Sequence, residues 1–228
     1  MIPMTKADEM IDVSDVAAAL IERAGPMGSM KLMKLTYYAQ AWHAAIYGEP
    51  LFRSRIEAWF KGPVAPVLWA QYSNKEYSSI TAPISGDSGR LSSEHLELIE
   101  LVVSEYGSLS GAELSRRSHE ESPWVEARGG IGENERSTSE ISIDAMVKYF
   151  ANQTLCGHSP IEIAVVGVSP RVDDEDRIRS VVSEVLEKYS ARNISDDLVD
   201  SGYVAFSSGV DESSFAAELA DINQILRR

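Results

Sequence analysis

Through the first two thirds of the chain, apolar residues recur at spacings of three and four, the period of helices that bury one face. A first helix is predicted from Ser14 to Ala24, with Ser14 as N-cap, Val16, Leu20 and Ile21 on its inner face, and Gly25-Pro26 as its stop. A second is predicted between Ser29 and Gly48, with Leu32, Leu35, Ala39, Trp42 and Ile46 as one stripe. Met33, Tyr37 and Tyr38 widen that stripe, while Lys31, Lys34 and Gln40 fall off it. So broad an apolar face predicts a central helix with neighbours on two sides. Ile56 to Phe60 reads as a short strand or extended arm, Gly62-Pro63 as a turn, and Pro66 to Tyr72 as a helix opened by proline.

Ser73 to Leu91 lacks periodicity and reads as a loop, followed by a helix from Glu94 to Tyr106 that Ser93 caps and Gly107 closes. Ser110 and Glu113 have capping-box spacing and open a short helix ending near Ser118. Ser122-Pro123-Trp124 starts another brief helical turn, which Gly129-Gly130 ends, and residues 129–140 form a polar loop. Ser142 to Asn152 is the last helix of this part, burying Ile143, Val147 and Phe150.

Beyond Gln153 the pattern changes. Ile161 to Val168 reads as a buried strand and Ile178 to Tyr189 as an amphipathic helix. Tyr203 to Ser207 reads as a second strand, and Phe215, Leu219, Ile222 and Leu226 mark a last helix. The expected fold is therefore α+β: a mainly α-helical domain over 10–152 with a short strand or hairpin element, then a small C-terminal β-α-β-α unit over 160–228.

Composition narrows the function. The chain has 228 residues, and 21 Lys+Arg against 35 Asp+Glu leave a net charge of −14. That balance disfavours a sequence-independent grip on nucleic-acid phosphates and suits a basic protein partner. The C-terminal third carries roughly half of the net negative charge, which makes it a candidate for partner specificity or dimerisation, or else a solvated accessory. A single cysteine, Cys156, excludes an intrachain disulfide and a cysteine-rich zinc site. The N-terminus lacks a signal-peptide core and no apolar stretch reaches the ~20 residues of a membrane span, so a cytoplasmic protein is expected.

Conventional catalytic patterns are missing. No nucleophile elbow or phosphate loop is present, and His43, His95, His119 and His158 have no ligand-like spacing. No catalytic residue, cofactor or metal is expected. His119-Glu120-Glu121 is the most suggestive polar cluster, since carboxylates beside a histidine favour its charged form and general-base work. Its structural alternative, which is preferred, is a helix-terminal histidine with Trp124 fixing the next turn to the core. Trp59-Phe60-Lys61-Gly62-Pro63 sets large aromatics beside a forced turn, either as a protein-binding anchor or, preferred for Trp59, as a plug in the core.

Three of these blocks, in order, resemble a known family. They are Lys31 to His43, Glu57 to Pro66, and Leu109 to Ser115 with Ser118 to Trp124. Over about Met10 to Ala151 the chain is similar to the Panacea domain, the SocA-like antitoxin family. The resemblance implies a mostly helical protein of prokaryotic or phage origin, without cofactor or enzymatic activity. It further implies neutralisation, by direct binding, of a protein toxin encoded beside it. The signature or partner-binding candidates are Lys34, Tyr37, Tyr38, Trp42, Trp59, Gly62, Pro63, His119 and Trp124. Self-association is compatible with this reading. The rival readings are a DNA-binding regulator of its own operon, for which Arg116 and Arg117 offer a thin basis, and an adaptor that delivers the toxin to a protease.

Overall fold

The computed structural model describes residues 11–75, 80–132 and 135–166. The chain divides into two units, Met1–Pro160 and Ile161–Arg228. In the first, the helices are α1 (Val13–Ala24), α2 (Ser29–Tyr47), α3 (Pro66–Tyr72), α4 (Ser93–Tyr106), α5 (Gly111–His119), α6 (Ser122–Arg128) and α7 (Ile143–Phe150). Between α2 and α3 runs an antiparallel hairpin of β1 (Glu57–Trp59) and β2 (Gly62–Val64).

Helix α2 is the axis of this unit, with α1, α3, α4, α5, α7 and β2 packed around it. Sixteen of its residues, from Ser29 to Ile46, are buried, so the expected two-sided neighbourhood is enclosure on nearly every side. Aromatic rings fill the space where it meets α4 and α7. Tyr38 stacks on Tyr106 with centroids 4.0 Å apart, and Trp42 meets Phe150 edge-on at 5.1 Å. Such pairs add directional preference to large apolar burial. Each polar end in the cluster is matched: the Trp42 Nε1–H donates to the Tyr106 hydroxyl at 3.0 Å.

Several local expectations shift for physical reasons. Asp12, not Ser14, caps α1, because its carboxylate accepts the Ser14 N–H at 2.8 Å while Ser14 lies inside the helix. Ser92, not Ser93, caps α4, with its hydroxyl 3.3 Å from the His95 N–H. The Ser110–Glu113 capping box forms as expected. In α7 the buried set is Met146, Val147 and Phe150, and Ile143 in the first turn is only half-buried. Lys34 and Gln40, placed off the apolar stripe, are 1% and 2% exposed. Each is satisfied internally: Lys34 by the Pro63 carbonyl, and Gln40 by both the N–H and the C=O of Phe52.

The loop after α3 is fastened rather than free. Met27 and Ile80 exchange backbone hydrogen bonds, and Asp87 N–H donates to the buried Asp15 carboxylate at 2.8 Å. Gly86, at φ +89°, passes so close to α1 that an added Cβ would lie 2.1 Å from the Ser14 carbonyl oxygen.

In the second unit the described residues are 161–166. The expected strand over Ile161 to Val168 is corrected: Pro160–Val166 is a helix, α8. A short β-branched run suits a buried strand or a buried helix equally by periodicity, and Pro160 fits a first helical turn. The predicted elements over 178–189, 203–207 and 215–226 lie outside the described residues.

Candidate partner-binding site

The hairpin turns through Phe60 and Lys61, with Trp59 opposite Gly62 in register. Gly62 has φ +95°, a region glycine enters without penalty. It also lies between α2 and α5, where a Cβ would stand 2.8 Å from Lys34 Nζ and from Ser118 Oγ.

Side chains from three helices grip the hairpin through its backbone oxygens. Lys34 of α2 donates to the Pro63 carbonyl at 2.8 Å, and Ser115 of α5 to the Lys61 carbonyl at 2.8 Å. From α6, the Trp124 indole N–H donates to the Trp59 carbonyl at 3.0 Å. Arg128, the last residue of α6, donates to the Ala58 carbonyl at 3.0 Å and to those of Gly132 and Glu135. On its other edge β1 joins the segment before α7: Ala58 N–H donates to the Ser139 carbonyl and Ile141 N–H to that of Ile56, both at 2.8 Å. The base of the hairpin therefore has little freedom to move without breaking buried hydrogen bonds.

The frame rests on two buried ionisable groups. Lys34 reaches Pro63 from inside the core, and burial lowers its ammonium to about 7. Three and four residues on, Tyr37 and Tyr38 share its helix face and donate to opposite oxygens of Glu121, at 3.0 and 2.8 Å. Glu121 sits at the N-cap of α6 and is 3% exposed. Burial pushes its carboxyl up to about 7, against the downward pull of the two tyrosine hydroxyls and of Arg117. Burial also raises both tyrosines, so they remain hydroxyl donors at neutral pH.

The tip differs from the base. Phe60 is 40% exposed, Lys61 is exposed, and Trp59 and Trp69 are half-buried with rings edge-to-face at 5.8 Å. The Trp59 indole N–H donates to Glu57 at 2.6 Å, and Arg55 pairs with the other oxygen of that carboxylate at 2.6 Å. This arrangement can present rigid aromatic and cationic groups to another surface, and a preorganised surface loses little entropy on docking. As chemistry it offers little: the near-neutral amine of Lys34 is buried against a carbonyl. Among the described residues, no group of three or more His, Cys, Asp or Glu could hold a metal ion.

The blocks that meet here are also those that relate the chain to known proteins. Residues 32–125 match the family described as antitoxin SocA-like, Panacea domain. Antitoxin SocA of Caulobacter vibrioides (strain NA1000 / CB15N) is 31% identical over 151 residues, covering 59% of this chain and 79% of that protein. The chain belongs to the SocA-like Panacea family. That membership points to a non-enzymatic protein. The family match runs from within α2 into α6, so it contains the whole hairpin and the gripping residues Lys34, Ser115 and Trp124, while Arg128 lies just beyond it. No solved structure matches the chain. Among the described residues, no helix is long and apolar enough to cross a membrane.

Within this Panacea domain the signature candidates occupy distinct places. Lys34, Tyr37, Tyr38, Trp42, Gly62, Pro63 and Trp124 are buried, building the frame and the aromatic core. Trp59 is half-buried at the hairpin surface rather than plugged into the core, with its indole N–H on Glu57. His119 is half-buried in the last turn of α5 and stacks on Trp124 at 4.1 Å, which fits the helix-terminal reading. Arg116 pairs with Glu120, and Arg117 lies over the Tyr106 ring, so both arginines already have internal partners. Arg55, Trp69, Ser115 and Arg128 carry no sequence signal for their roles. Ser115 and Arg128 reach carbonyls 54 and 70 residues away, and Arg55 and Trp69 meet Glu57 and Trp59 only through the shape of the hairpin. The sequence shows Glu121 only as a neighbour of His119, although its tyrosine partners lie 83 and 84 residues away.

Proposed function

We propose that this Panacea-family protein is an antitoxin that neutralises a protein toxin, encoded beside it, by direct binding. Family membership supplies the antitoxin role. The observation that supports binding as the means is the hairpin, whose carbonyls are locked by α2, α5 and α6 while its aromatic tip stays open to solvent. Rigid aromatic groups at a surface are the commonest energetic centres of protein interfaces. A DNA-reading role is disfavoured by the net charge of −14, against which Arg116 and Arg117 are the only adjacent cations α5 offers.

The test is co-expression of the full chain with the product of the adjacent gene. Growth rescue together with co-purification of a stable complex is the expected result. Rescue without any complex, or a neighbour that is harmless alone, overturns direct neutralisation.

A further inference from the structure

The hairpin region departs from the rest of the chain in charge. The segment from Arg53 to Lys61 carries Arg53, Arg55 and Lys61 against Glu57 alone, in a protein of net charge −14. Glu57 is 2% exposed, with one oxygen on Arg55 and the other on the Trp59 indole, so it offsets Arg55 and the cationic excess of the segment is two charges. The Arg55 side chain is 62% exposed, and Arg53 and Lys61 are exposed. Beside these cations stand the Trp59–Trp69 pair and Phe60, with the Lys61 ammonium 5.6 Å from the Phe60 ring centroid. Tryptophan and arginine together are the residue types enriched at interface hot spots.

We infer that the face formed by Arg55, Trp59, Trp69 and the Phe60–Lys61 tip is the docking surface for the toxin, and that the toxin presents there an acidic side chain beside an apolar one. This rests on the antitoxin reading. Charge complementarity selects the occupant. In a chain of net charge −14, the exposed Arg53, Arg55 and Lys61 favour an acidic group at this face, which fixes the docking orientation as well as favouring contact. A nucleic-acid backbone, charged along its whole length, is disfavoured by that net charge, so a local acidic site on a protein fits better.

The test uses the full chain and the purified product of the adjacent toxin gene, with affinity measured by titration at low and high salt. Lys61→Glu and Phe60→Ser, both at exposed positions, are each expected to weaken binding about tenfold or more. Ser104→Glu, which adds the same kind of charge on α4, is expected to leave affinity within about twofold. Tryptophan fluorescence melts establish that each variant is folded. If both hairpin variants bind and neutralise like the parent, this surface is wrong while the antitoxin reading stands. Tighter binding by Lys61→Glu overturns the acidic-partner assignment. Failure of the parent chain itself to bind or neutralise the toxin overturns the antitoxin reading, and this proposal with it.

Discussion

Replacing Lys34 with methionine tests the physical core of the frame. The lysine is 1% exposed, and burial lowers its amine from 10.5 to about 7. Between those values the unfolded chain keeps a proton that the folded chain has released, so stability must rise with pH across the window. At about 1.4 kcal/mol per unit, the penalty for this group is ~4 kcal/mol at pH 7 and falls to ~2 kcal/mol at pH 9. Lys34→Met keeps the length of the chain but carries no charge, so it loses this pH dependence along with the hydrogen bond to Pro63, itself worth about 1–3 kcal/mol. All four tryptophans lie in the described helices and hairpin, so urea unfolding followed by their fluorescence reads this unit. The parent is expected to gain about 2 kcal/mol relative to the variant between pH 7 and 9. Parallel stability curves for the two proteins across that range would show that Lys34 titrates alike in the folded and unfolded chain.

Glu121 works in the opposite sense. Its carboxyl is raised from 4.5 to about 7, so its contribution to stability is complete below pH 4.5 and is lost as pH rises through 7, by ~3 kcal/mol in all. Glu121→Gln should flatten that fall, measured by urea unfolding at pH 5 and 7, and an unchanged slope would count against the assignment. Gly86→Ala should destabilise the protein by about 2 kcal/mol or more, because the new methyl meets the Ser14 carbonyl and the backbone is left-handed there. A thermal midpoint equal to the parent's would show that the loop relaxes freely. Arg128→Ala leaves the Ala58 carbonyl without its guanidinium, so amide exchange over 57–64 and 135–141 should quicken. Arg128→Lys should fail to restore it, since an ammonium cannot match the planar fork that reaches three carbonyls. Parent-like exchange in either variant would remove Arg128 from the frame.

How far the sequence reveals this site follows from what periodicity can sense. It locates α2 and β1 because apolar spacing is a local signal, but the turn is expected at Gly62-Pro63, which belong to β2. The chain turns at Phe60-Lys61, and Gly62 is needed for its positive φ and its close approach to Lys34 and Ser118. Periodicity misplaces Lys34 and Gln40 because polarity suggests solvent, whereas each is buried against a backbone partner 12 or 29 residues away. The capping errors at α1 and α4 have a similar origin, since several neighbouring residues can cap and only geometry chooses between them. Ile161 to Val168 shows the limit most directly: a short apolar run does not choose between strand and helix, and of residues 161–164 only Ile163 is buried. The three signature blocks are legible as a family pattern, yet only folding shows that they converge on one hairpin.

On the proposed function, binding alone silences the toxin. The most direct test mixes the purified full chain with the purified product of the adjacent gene, with no protease present, and follows toxin activity and complex formation over a titration. Toxin activity is expected to fall in proportion to the complex formed. A complex that leaves the toxin fully active until a protease is added would contradict silencing by binding alone.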